Sequence, residues 1–180
     1  MAVYAAFLRG MNVGGRRISN ADLTEAFEAI GGFESVSTFR ASGNVMFETG
    51  RRAEGELVAE IEEGLEEALG YEVPTFLRTA AELRAIADFQ PFDEGDVAAS
   101  DGKLQVSVLS KRPTEKQRQA ILAMATDADP LVVVEREIYW LPSGGLLESD
   151  LDLDSIDEIT GPSTRRTMGT MEGMAAKLPG

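Results

Sequence analysis

The stretch "SVSTFRASGNVMFE", residues 35–48, decides how the first half of the chain folds. Residues 35–41 alternate Val36, Thr38 and Arg40 with Ser37, Phe39 and Ala41, a strand pattern in which Arg40 interrupts one face. "NVMFE", residues 44–48, reads as the next strand, and Gly43-Asn44 is a two-residue hairpin signal between them. Upstream, "VYAAFL" at 3–8 is a short apolar run suited to a buried strand. Between that run and the hairpin, Ser19 and Asp22 form a capping box, and Leu23, Phe27 and Ile30 follow at helical spacing. Gly31-Gly32 stops the helix. Downstream, Leu57, Ile61, Leu65 and Leu69 make an i, i+4 stripe on a helix of about 54–69, and "TFLRT" at 75–79 is a last strand. The order β-α-β-β-α-β is the split-βαβ or ferredoxin-like pattern. Right-handed crossovers make strands one and two parallel, with strand three antiparallel between them.

The second half repeats that order. A helix at about 80–89 and a loop, "QPFDEGDVAASDG", lead into a strand at 103–110 and a helix at about 114–125. "PLVVVERE" and "IYWLP" form a hairpin in which Tyr139 and Trp140, on adjacent positions, face opposite sides, one of them toward the core. "SIDEITG" predicts a helix, "STRRT" a short strand and "MEGMAAKL" a terminal helix. The expected fold is therefore α+β: two tandem ferredoxin-like (βαββαβ) halves with antiparallel sheets, over residues 1–79 and 80–180, plus a C-terminal helix. The halves repeat in topology and share no evident sequence.

Composition removes several chemistries. Among the 180 residues there are no cysteines and no histidines, which excludes disulfides, thiolate nucleophiles, zinc held by sulfur or imidazole, and any histidine base. No cofactor is implied. Seventeen basic against thirty-one acidic residues give a net charge of −14, so the long-range field repels nucleic acid and anionic membranes. A local basic patch still acts within a Debye length, about 8 Å at physiological salt. "MAVYAAFL" has no positive n-region, its apolar run stops at Arg9, and no run approaches the roughly 20 residues of a membrane span. These features predict a cytoplasmic protein.

Against that acidic background "RGMNVGGRRISN", residues 9–20, stands out. Strand three runs opposite to strand one, so the loop leaving strand one and the hairpin entering strand three fall at one sheet edge, where the first helix also begins. Arg9, Asn12, Gly14, Gly15, Arg16 and Arg17 thus approach Ser42, Gly43 and Asn44. Guanidinium forks, side-chain amides and backbone N–H groups suit a phosphate or carboxylate. Under the competing reading the glycines permit a tight turn and the arginines pair with the glutamates of 54–72, which hold eight acids and no base.

Two sharper motifs fail. Gly10 and Gly15 have P-loop spacing, but Arg16-Arg17 stand where Lys and a magnesium-binding hydroxyl belong. Asp150, Asp152 and Asp154 match the first ligands of an EF-hand loop, yet Ser155 and Gly161 occupy the positions of the essential Gly and Glu, so a solvated acidic turn is expected and no metal. Arg165 and Arg166 are the other basic cluster near a helix start and would add two guanidiniums if they met the 9–17 loop.

"LRGMNVGG" at 8–15, "ASGNVMFE" at 41–48 and "QPF" at 90–92 together resemble a bacterial family, domain of unknown function 1697 (DUF1697). The resemblance runs over the whole chain and implies an α+β fold of two ferredoxin-like halves. It supplies candidate residues but no reaction. It weakens in "STRRTMGTM", residues 163–171: Thr164, Arg165, Arg166 and Thr170 fit, whereas Met168 stands where the resemblance implies tryptophan. The acidic "ESDLDLDSIDE", 148–158, replaces an implied lysine-bearing segment, so no function resting on that lysine or tryptophan is carried over. Three readings remain open: a small-anion site at the 9–17 and 42–44 edge, a protein-interaction module with an unnamed partner, and RNA binding on the sheet. The last needs basic and aromatic residues on the central strands, and "NVMFE" supplies one aromatic and a glutamate.

Overall fold

The structure, a computed structural model, describes residues 1–11, 18–40, 43–50, 52–100, 103–146 and 149–180. Its contacts divide the chain into two compact units, residues 1–87 with 172–180, and residues 88–171. The sequence reading places a boundary at 79/80; by contacts, the helix after the first sheet and the last nine residues group with the first unit.

In the first unit β1 (Ala2–Leu8), β2 (Glu34–Thr38), β3 (Asn44–Thr49) and β4 (Thr75–Thr79) form an antiparallel sheet in the order β2-β3-β1-β4. Ala6 sits across from Val45 on one side and Leu77 on the other, so β1 is a central strand with neighbours on both edges. That position explains its apolar run: residues 4–8 are all buried. Helices α1 (Asn20–Ile30) and α2 (Glu54–Leu69) pack on one face, and α3 (Ala80–Asp88) follows β4. The α2 stripe is as expected, with Leu57, Ile61 and Leu65 fully buried and Leu69 partly so. Each full burial contributes roughly 1.5–3 kcal/mol. Phe47 centres an aromatic cluster, with Tyr4, Phe27 and Phe33 ring centroids 5.7, 5.8 and 4.7 Å away.

The second unit comprises α4 (Glu94–Ala99), β5 (Gln105–Leu109), α5 (Glu115–Leu122), β6 (Leu131–Val134), β7 (Glu137–Trp140), α6 (Leu153–Thr160) and β8 (Ser163–Thr167). The closing helix α7 (Met168–Ala175) spans the division between units. The antiparallel sheet has the order β6-β7-β5-β8, the same as the first when numbered from its own start. One hydrogen bond recurs in both sheets. Leu8 N–H donates to the Gly43 carbonyl at 2.8 Å, and Leu109 N–H donates to the Arg136 carbonyl at 2.9 Å. In each case the last residue of the first strand meets the residue just before the third.

The fold is thus mixed α+β with two four-stranded antiparallel sheets, and four details depart from expectation. The β2–β3 connection covers residues 39–43 rather than Gly43-Asn44, because Asn44 is already in β3. A short helix, α4, lies within the expected 90–102 loop; its cap is Asp93, which accepts the Gly95 N–H at 3.2 Å. Tyr139 and Trp140 are both buried, Trp140 in a cluster with Ile121 and Ile156 and Tyr139 against the Phe89 ring. At α1, Ser19 Oγ accepts the Asp22 N–H (3.1 Å), but the return bond of a capping box is missing, Asp being a methylene shorter than Glu. A full box occurs instead at α5, where Thr114 and Gln117 each accept the other's N–H, at 3.2 and 2.8 Å.

Candidate functional site

The edge of the first sheet is built by local necessity. Gly43 has φ +83°, and a Cβ there would lie 3.0 Å from the Leu8 carbonyl oxygen, the Leu8 Cβ and the Met11 Cγ. Only glycine suits both the backbone angle and the close approach. This packing sets the turn after β1 directly against the β2–β3 hairpin. The hairpin is tied at its base by Phe39 N–H to the Asn44 carbonyl (3.0 Å) and by Asn44 Nδ2 to the Phe39 carbonyl (3.1 Å). Its tip is tied to the start of α1, whose Asn20 Nδ2 donates to the Arg40 carbonyl at 3.0 Å. Arg9 donates its N–H to Pro74 (3.0 Å) and leaves its side chain exposed.

Two further cations converge here. The Arg40 guanidinium lies 5.1 Å from the centroid of the Phe39 ring and the Lys177 ammonium 5.6 Å from it. Each such contact contributes about 0.5–1 kcal/mol at an exposed site. Phe39 in turn lies against Gly173, where a Cβ would come within 2.3 Å of the ring's Cζ. Lys177 has no carboxylate partner among the described residues. The sequence reading passed over both cations. Arg40 was legible as a neighbour of the Ser42–Asn44 segment, whereas Lys177 reaches the edge from the other end of the chain.

The candidate residues divide by place. Arg9 is exposed at this edge, and Gly43 shapes it. Asn44 is buried with its amide committed to the hairpin, so it holds the edge rather than facing a ligand. Asn12, Gly14, Gly15, Arg16, Arg17 and Ser42 lie outside the described residues. Arg165 and Arg166 belong to β8 of the second unit. The Arg165 guanidinium stacks 5.1 Å from the Trp140 ring centroid; burial lowers its pKa, and nearby Asp157 opposes the shift. Arg166 donates to Thr164 Oγ1 (2.8 Å) and to the Arg165 carbonyl (2.9 Å), and burial pushes it down to about 10. At that value Arg166 remains charged at neutral pH.

On the glutamate-rich helix, Glu60 pairs with Arg52, and Glu62 accepts the Thr75 backbone N–H at 3.0 Å. In the 150–154 turn, Asp152 caps α6 by accepting the Ser155 N–H (3.1 Å) and hydroxyl (2.7 Å). These bonds hold its carboxyl below the ordinary range. Among the described residues no group of three acids is placed to hold a metal ion, and no helix is long and apolar enough to cross a membrane.

The chain is similar in fold to a solved structure, the conserved bacterial protein SP0830 from Streptococcus pneumoniae. The TM-score is 0.70 over 97 % of each chain, at 18 % sequence identity, a likeness of fold alone. No curated protein matches the chain. The family described as "protein of unknown function (DUF1697)" matches residues 1–139, which include the β1 turn and the hairpin of the candidate edge and stop short of β8. With more than three quarters of its length so matched, the chain belongs to the DUF1697 family.

Proposed function

We propose that the first-sheet edge binds a small phosphorylated or carboxylated ligand between the turn after β1 and the β2–β3 hairpin. The observation that carries this reading is the convergence of Arg40 and Lys177 on the Phe39 ring, beside the contact of Gly43 with Leu8 and Met11. In sequence, residues 9–20 and 35–47 contain no acid in a chain that has thirty-one. Arg9, Arg40 and Lys177 place positive charge on this edge, and an anion bound among them lowers their mutual repulsion. Arg9, Arg16 and Arg17 supply further guanidiniums from the same loop, and Arg165 and Arg166 form no part of this reading.

The same reading takes each β-α-β-β-α-β unit as ferredoxin-like, which the shared strand order supports, and the protein as cytoplasmic. It places RNA lower than a small anion. A sheet that binds RNA presents exposed aromatics for base stacking, whereas Phe7, Phe47 and Phe76 on the first sheet are all buried.

Thermal melting tests it. Wild type, Arg40→Ala and Lys177→Ala are melted with inorganic phosphate, nucleotides, sugar phosphates, di- and tricarboxylates and short RNAs. A ligand at 100 times its dissociation constant adds about 2.7 kcal/mol. A shift seen in wild type and lost in both variants supports the site. No shift across the panel removes it and leaves the protein-interaction reading in its place.

A further inference from the structure

Independently of that edge, we infer that the acidic seam between α1 and α2 receives the basic turn at residues 111–118 of a second copy of the chain. The seam is concave: two adjoining hollows meet at Ala29 and Ala68. Its floor is apolar, formed by Ala26, Ile30, Gly64 and Leu69, and its rim carries Asp22, Glu25, Glu60, Glu63 and Glu67. Glu60 has Arg52. Glu25, Glu63 and Glu67 are exposed and have no hydrogen-bond or ion-pair partner among the described residues. Like charges one turn apart on a helix destabilise it. A cation seated in the hollow would therefore relieve strain as well as fill space.

The complement lies in the second unit. "KRPTEKQR", residues 111–118, holds four cations and one acid across the turn before α5 and the first turn of that helix. Lys111 and Lys116 are exposed and unpartnered among the described residues, and Arg112 is 71 % exposed despite its 3.5 Å contact with Glu135. Pro113 and Val134, 38 % exposed, give this turn an apolar side as well. A segment with an apolar side and free ammonium groups matches a groove with an apolar floor and free carboxylates in charge and in apolar lining. The chain's net charge of −14 repels copies at long range. At about 0.15 M salt that repulsion is screened beyond roughly 8 Å, while ion pairs in contact persist. Because two different surfaces meet, the contact is head-to-tail. One turn in one groove buries less than the roughly 1,200 Å² of a standard interface, so the association is weak and needs concentrated protein.

The test is analytical ultracentrifugation of the full chain at about 0.15 M salt, from micromolar to millimolar concentration. Two charge-reversed variants, Lys111→Glu/Lys116→Glu and Glu63→Lys/Glu67→Lys, are run alone and mixed, after circular dichroism shows them folded. The expected result is concentration-dependent association of wild type, loss in each variant alone, and recovery in the mixture, where opposite surfaces again face each other. Wild type that stays monomeric at millimolar concentration overturns the inference. So does association that survives either reversal, or a mixture that fails to recover. None of the reversed residues belongs to the Arg40, Phe39 and Lys177 cluster, so failure here leaves the anion site standing, and the reverse holds too.

Discussion

The two hairpins at corresponding places in the two sheets share a hydrogen bond and differ in everything built upon it. In each, the residue before the third strand, Gly43 or Arg136, gives its carbonyl to the N–H that ends the first strand. The second unit closes its hairpin with Glu135 and Arg136 alone. The first takes residues 39–43, and that extra chain carries Phe39, Arg40 and the contacts to Asn20, Met11, Gly173 and Lys177. Sheet closure needs two residues, as the second unit shows. Closing the sheet does not require the additional residues of the first hairpin, and among them Phe39 meets both Arg40 and Lys177.

The largest expected effect breaks the comparison at its shared bond. Gly43→Val forces a β-branched residue to φ +83° and presses its Cβ on the Leu8 carbonyl. The expected loss is about 3 kcal/mol, left-handed strain and overpacking together. Arg136→Ala keeps the equivalent carbonyl and an unstrained backbone, and should cost less than about 0.5 kcal/mol. Urea denaturation of both variants checks the pair; equal losses would mean that the two tips are held alike. A shorter hairpin sharpens the contrast. Replacing residues 40–43 with Asn-Gly copies the minimal second tip and keeps the Phe39–Asn44 pair. The first unit should stay folded, at a cost of about 1 kcal/mol for the lost cation–π contact and the Asn20 bond. Any ligand-dependent rise in melting temperature should vanish. A rise that persists would show that the tip serves only the sheet.

How much of this was legible follows from where the signals are stored. The α2 stripe and the apolar β1 run write burial directly into sequence, because Leu57, Ile61 and Leu65, or residues 4–8, repeat at the period of their element. Helix α4 carries no such mark: none of its residues is buried, so no apolar period announces it, and only its Asp93 cap remains as a sign. Tyr139 and Trp140 defeated the alternation rule, which assumes one wet face. The Tyr139 ring packs edge-on against Phe89 at 4.9 Å, while Trp140 Nε1 donates to the buried Asp129 carboxylate at 2.9 Å. At the candidate edge, Arg9 and Gly43 could be placed by topology, because the strand directions bring them together. Lys177 could not, since no local pattern ties the last helix to Phe39. Trp140 nonetheless makes the second unit measurable on its own, being the chain's one tryptophan. Asp129 also accepts Ser149 Oγ–H at 2.7 Å, so Asp129→Ala strands two donors. It should cost about 2 kcal/mol and shift tryptophan emission to the red. Unchanged emission would mean that Trp140 takes its polarity from another group.

The smallest effect has the opposite sign and tests whether the minimal tip is already ideal. Glu135 has φ +53°, the first central position of a two-residue hairpin, where glycine leads when only that residue is left-handed. An L-residue there costs about 1–2 kcal/mol. Against that stand the added entropy of glycine in the unfolded chain, about 0.5–1 kcal/mol, and the exposed Arg112 contact, worth little. Glu135→Gly should therefore stabilise by about 0.5 kcal/mol, read as a higher urea midpoint at unchanged slope. A loss would mean that the Arg112–Glu135 pair outweighs the strain, and that the second tip, like the first, is held by its side chains. A gain leaves the two tips distinct: at one, strain that glycine alone can accept is kept for close packing, and at the other it survives only because it is small.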